Sequence, residues 1–135
     1  SLRAATEYTR TEVTGASPVR LVVLLYDGAI RFLAAALEKM RAGDLEGRHR
    51  NLLKAQSIVS ELLGTLNMEA GGEVAANLQR LYSYMLRELV EANLYDLAEP
   101  MEKVLAMLRE LREGWVDVQK QQATKAAVYE LSTTA

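Results

Sequence analysis

The chain has 135 residues, enough for one domain with a core of its own and too few for two ordinary domains. Sixteen Lys plus Arg against 18 Asp plus Glu give a net charge of -2, which sets aside a nucleic-acid or anionic-membrane partner, and one His with no Cys leaves little for imidazole, thiolate or metal chemistry. Half the residues are apolar, only 6% are aromatic and Pro occurs twice, a mixture that favours helices packed by Leu, Ala and Val over a sheet.

Residues 1–14 show no sustained period but hold Leu2, Tyr8 and Val13, and no apolar stretch of the signal-peptide type. They read as a detachable arm, residues 1–17, able to cover part of the domain. Ser17-Pro18 then supplies a capping hydroxyl and a proline at the first helical position, where its missing N–H is not needed. The first helix is predicted from Pro18 to about Ala42. Arg20, Asp27, Arg31 and Glu38 break every membrane-length apolar run within it, so a soluble, cytoplasmic protein is expected. Gly43 suits the left-handed position after that helix, and Asp44 caps a second helix reaching about Asn67. Gly71-Gly72 marks a break before a third helix from about Glu73 to Leu94. Asp96 with Glu99 resembles a capping box for a fourth, which holds Pro100 in its first turn and runs to about Gln122. Residues 123–135 read as a tail, either a short extra helix or a frayed end.

Short links between long helices make neighbours antiparallel. The expected fold is therefore all-α, an up-down-up-down four-helix bundle over residues 18–122. The third helix places Val74, Leu78, Leu81, Tyr82, Met85, Leu89 and Ala92 on one face, and the fourth does so with Leu97, Met101, Val104, Leu108, Leu111 and Trp115. Both are ordinary core stripes, although Tyr84 projects from the polar side of the third helix. The first helix spreads its apolar residues, from Leu21 to Met40, over about 200° of its circumference, more than a corner helix needs. On the second helix Ile58 widens the seam and Leu53 lies off it. The surplus points either to coverage by the arm, the tail or a second copy, or to a groove for an amphipathic helix of another protein.

Chemistry finds little support. A di-iron bundle needs two Glu-x-x-His pairs, and Glu46 with His49 supplies one. A phosphotransfer His is commonly followed by Lys at the third and Gly at the fourth position, where this chain has Leu52 and Leu53. Gly71-Gly72 lacks the Lys-Ser/Thr of a phosphate loop, and no nucleophile motif surrounds Ser57, Ser60 or Ser83. Gly28, inside the first helix, is read as a close-packing point, and the Arg and Lys residues as solvated faces. No enzyme activity, metal or cofactor is expected.

Residues 13–29, VTGASPVRLVVLLYDGA, resemble the opening of the flagellin-export chaperone family FliS, and residues 51–62, NLLKAQSIVSEL, resemble its second-helix motif. Leu66-Asn67, Gly72-Glu73-Val74-Ala75, Asn77-Leu78, the run from Leu81 to Met85 and that from Leu89 to Asn93 follow in the same order, so the likeness spans residues 8–118. The resemblance implies a helical-bundle chaperone that holds the disordered C-terminal segment of flagellin, prevents premature polymerisation and keeps it competent for type III export. Other flagellar regulatory or export proteins are implied as further partners, and self-association in the free state stays open.

Carried onto this sequence, the contact candidates are Tyr8 and Val13 in the arm, Tyr26 and Ile30 on the first helix, and Leu52, Lys54, Ala55, Gln56, Ile58, Val59, Leu62, Leu66 and Asn67 on the second. Core packing accounts equally well for the apolar members of the second helix. Helix formation alone does not require Lys54, Gln56 and Asn67, which makes them the stronger interface candidates. Two departures from the family pattern stand out: Gly15 replaces a usual Thr, and Leu97-Ala98 replaces the Asp-Pro that often opens the last helix.

Overall fold

A computed structural model describes residues 17–134. Four helices follow in order: α1 (Pro18–Arg41), α2 (Leu45–Gly64), α3 (Met68–Tyr95) and α4 (Ala98–Thr134). The arm residues Tyr8 and Val13 lie outside the described residues.

Local chemistry sets most of the boundaries. The Ser17 Oγ accepts from the Arg20 N–H at 3.3 Å, with Pro18 in the first turn of α1. Past the end of α1 the Asp44 N–H donates to the Lys39 carbonyl at 2.9 Å while Gly43 adopts φ 77°, a left-handed conformation that favours glycine. Asp44 then caps α2, its Oδ1 accepting from the Gly47 N–H at 2.8 Å.

Three boundaries differ from the sequence expectation. Helix α3 begins at Met68, because the Asn67 side chain accepts from the Ala70 N–H at 2.9 Å and starts a turn before the glycines. Gly72, at φ 52° and ψ -127°, therefore kinks a helix instead of preceding one. Asp96 does not open α4; it closes α3 in the left-handed region at φ 53°, leaving Leu97 in the link and 42% exposed instead of on the core stripe. Helix α4 also passes the expected end at Gln122 and continues to Thr134, with residues 121–128 exposed.

Each helix packs against its chain neighbours, and α1 also meets α4, so the four close a ring. Ion pairs Asp27–Arg112 and Arg41–Glu102 register α1 antiparallel to α4, and Arg48–Asn93 does the same for α2 and α3. The core centres on Leu33, Leu52, Leu62, Met85, Leu89 and Leu108, each fully buried.

Most of the broad apolar face of α1 is taken up by this ring, and what remains at its start, Val19 and Val22, lines a groove. Ala29 and Ala36 are fully buried, and Gly28 lets α2 approach so closely that a Cβ would stand 3.1 Å from Ile58 Cδ1. Neighbours α2 and α4 then cover its two sides, and Val22, Ile30, Phe32 and Met40 pack half-buried against the core. Among the described residues the large exposed apolar side chains lie on α2, α3, α4 and the links.

One end of the bundle is tied by polar groups. Arg48, expected on a solvated face, is only 6% exposed; its guanidinium reaches Asp96 at 2.8 Å and Asn93 Oδ1 at 3.2 Å. His49 Nδ1 lies 2.9 Å from the same oxygen. These bonds fasten the start of α2 to the α3–α4 link, a long-range role that no local pattern around position 48 announces.

Candidate apolar docking groove

At the opposite end the described residues leave a groove. The start of α1 brings Val19 and Val22 beside the α2–α3 link, where Thr65, Leu66 and Asn67 lie, and α4 closes the far side with Trp115 and Gln122. The kinked start of α3 supplies Ala70, Gly71, Val74, Ala75 and Leu78, and Tyr82 stands deeper. Together they bound a groove of about 620 Å³, within the range of about 300–1,000 Å³ usual for ligand sites. Val74 on its margin is 65% exposed, although the sequence stripe assigned it to the core. Val74 lies two residues after the kink at Gly72, whereas Ala75 and Leu78 stay buried at 4% and 8%.

Beneath the groove Tyr26 and Tyr82 share a hydrogen bond of 2.6 Å between their hydroxyls, with ring planes tilted by 54°. Burial raises the pKa of both phenols above the ordinary tyrosine value. The Trp115 indole opposes the rise at each. Both hydroxyls therefore stay protonated across the physiological range.

The groove brings together Leu66 and Asn67 from the sequence candidates, with Tyr26 behind it. Leu52, Ala55, Val59 and Leu62 are fully buried, and Ile58 is 5% exposed. Ile30, Lys54 and Gln56 are half-buried elsewhere. The Lys54 ammonium lies 5.2 Å from the Phe32 ring centre, so it already has an internal partner that helix propensity does not reveal. Val19, Val74, Trp115 and Gln122 were missed as site residues because the first is isolated, the next two end core stripes and the last is polar. The signal available was the position of Val74 and Trp115 at stripe ends, where helices diverge.

A second apolar strip lies on the outer face of α3, with Val90 49%, Leu94 68% and Tyr95 66% exposed. Among the described residues no group of three or more His, Cys, Asp or Glu could hold a metal ion, and no helix is long and apolar enough to cross a membrane.

Fold and groove define an all-α bundle whose described residues leave an apolar groove at one end. The family model described as Flagellar protein FliS matches residues 1–122. The chain is 39% identical over 119 residues to the flagellar secretion chaperone FliS of Salmonella typhimurium, covering 87% of this chain and 85% of that one. It is 34% identical over 110 residues to the flagellar secretion chaperone FliS of Bacillus subtilis, covering 82% and 81%. To the flagellar secretion chaperone FliSB of Pseudomonas aeruginosa it is 38% identical over 104 residues, covering 77% and 82%. The chain belongs to the FliS family. That membership gives it an export-chaperone role in flagellum biogenesis.

Proposed function

We propose that the chain acts in the cytoplasm by binding the disordered C-terminal segment of flagellin, which folds as an amphipathic helix with its apolar face in the groove. Leu66, Val74 and Trp115 would receive Leu- and Ile-type side chains, and removing that face from water opposes the entropy lost on ordering the segment. The cost of coupled folding moderates affinity, so the segment can be released at the export machinery. Masking it would block polymerisation before export. The arm, residues 1–17, is proposed to cover apolar surface at this end in the free protein, since it joins α1 beside the groove. The protein works without catalysis, metal or cofactor in this reading.

The observation that carries this reading is the open apolar groove in a member of a secretion-chaperone family. Co-purification with flagellin, with and without its C-terminal segment, tests it. Capture only with the segment present is expected, together with added helix in circular dichroism. Equal capture of both forms, or of neither, removes the support. The apolar strip on α3 favours one other reading, self-association as a structural adaptor without flagellin binding, which predicts concentration-dependent mass in sedimentation.

A further inference from the structure

We propose that the outer face of α3 is a contact between two copies of this chain, which meet antiparallel about a two-fold axis level with Leu89. The inference stands apart from the flagellin reading, since it uses a different surface.

The surface is a row. Leu86, Val90 and Leu94 follow at four-residue steps along one face of α3, with Leu86 half-buried and the other two exposed. Arg87 and Glu91, each one position further on, are exposed and share one flank of that row. Together with Tyr95 they line a shallow hollow of about 480 Å³. Val90 lies about 33 Å along α3 from Met68, far from the end where residues 1–16 join α1.

Two-fold symmetry sets a strict condition, because the face must be complementary to itself after the rotation. The row meets it. Measured from Leu89 at about 1.5 Å per residue, Leu86 lies about 4.5 Å towards the start of α3, while Val90 and Leu94 lie about 1.5 Å and 7.5 Å towards its end. An antiparallel copy reverses these signs. Along the seam the order becomes Leu94 of the second copy, Leu86, Val90 of the second copy, Val90, Leu86 of the second copy and Leu94, at even steps of about 3 Å. Each apolar side chain thus enters a gap left by the other helix. The rotation also keeps the charged flanks on one side of the seam, with Arg87 level with Glu91 of the second copy and Glu91 level with its Arg87. Placing the axis level with Arg87 or with Glu91 instead would set like charges together, so the two pairs fix the register. In this dimer each Val74 stands about 22 Å from the axis, at opposite ends, which leaves both grooves outside the contact.

The test is a charge exchange read by sedimentation over a concentration series in low salt. The wild-type protein is expected to move from the mass of one chain towards that of two. Arg87→Glu and Glu91→Arg each create two like-charge pairs across the seam and are expected to weaken association at least about tenfold. Mixing these two variants should restore it, since the acidic flank of one then meets the basic flank of the other. An ion pair within a single helix cannot be rescued by mixing, so this recovery is particular to the two-fold geometry. Val90→Asp places a charge beside its own copy near the axis and should weaken association at least about a hundredfold. All three positions are exposed, so circular-dichroism melts of the variants should match the wild type. A wild-type protein that stays monomeric, or a mixture as weak as its components, overturns the inference. A wild-type dimer that dissociates when residues 1–16 are removed assigns the contact to the arm, and one that dissociates on adding a flagellin C-terminal peptide assigns the strip to that peptide; either result also overturns it.

Discussion

The two ends of the bundle are built from opposite materials. At the α1–α2 and α3–α4 links, Arg48, Asn93, His49 and Asp96 tie the helices with directional bonds, and Gly43 and Asp44 close the turn locally. At the other end, among the described residues, two phenols share a bond at the floor of the groove, and the surface around it is mostly apolar. Directional bonds hold an end in one geometry. Apolar surface suits an end to varied neighbours, because hydrophobic contact is non-directional and gains from any well-shaped one.

Substitutions at the two ends should separate stability from binding. The largest effect is expected for Asp96→Ala, which leaves the buried Arg48 guanidinium without its carboxylate and should cost about 3 kcal/mol in denaturant unfolding. Peptide affinity should stay within about twofold, as for a position remote from the interface; a matching loss of affinity would break the division between the ends. Alkali should act from the open side. The folded phenols titrate above the ordinary value, so both keep their protons while the unfolded chain loses its own above about pH 10. Stability is then fully present below that pH and falls as pH rises towards the folded values. Thermal melts from pH 9 to 11, roughly spanning the ordinary tyrosine value, should show this fall, and a flatter one in the Tyr26→Phe/Tyr82→Phe variant.

Val74→Asp should show the reverse of Asp96→Ala. At 65% exposure it should shift stability by no more than about 0.5 kcal/mol, yet weaken peptide binding at least about tenfold by placing a charge in an apolar contact. Unchanged affinity in calorimetry would remove the groove from consideration. The smallest effect is expected from truncation after Gln122. Residues 123–128 are exposed, so the unfolding free energy should change by less than about 0.5 kcal/mol. A larger loss would give the extended end of α4 a packing role.

The order and class of the elements were legible because periodicity and capping are local. Ser17-Pro18, Gly43-Asp44 and the stripe from Leu78 to Ala92 all stand as expected. Errors came where two local signals competed. Asp96 has the residue type of an N-cap but serves the preceding helix, with its carboxylate held by Arg48 from another element. Gly71-Gly72 has the composition of a link, yet Asn67 starts the helix earlier and Gly72 becomes a kink. The groove was less legible than the fold. Val74 and Trp115 obey the same helical period as their buried neighbours, and a period cannot say where adjacent helices part.

By itself the sequence determined four helices, their antiparallel order, most of their caps and the family to which the residues point, since each depends on neighbours within a few positions or on matched motifs. Tertiary structure alone decided that most of the wide face of α1 is spent on α2 and α4, that Arg48 is buried, and that the open surface lies between the ends of α1, α2, α3 and the Trp115 side of α4. The physical reason is that burial is a property of pairs of surfaces: Gly28 must meet Ile58, and Val74 must stand clear of the other described helices, before either residue has its role.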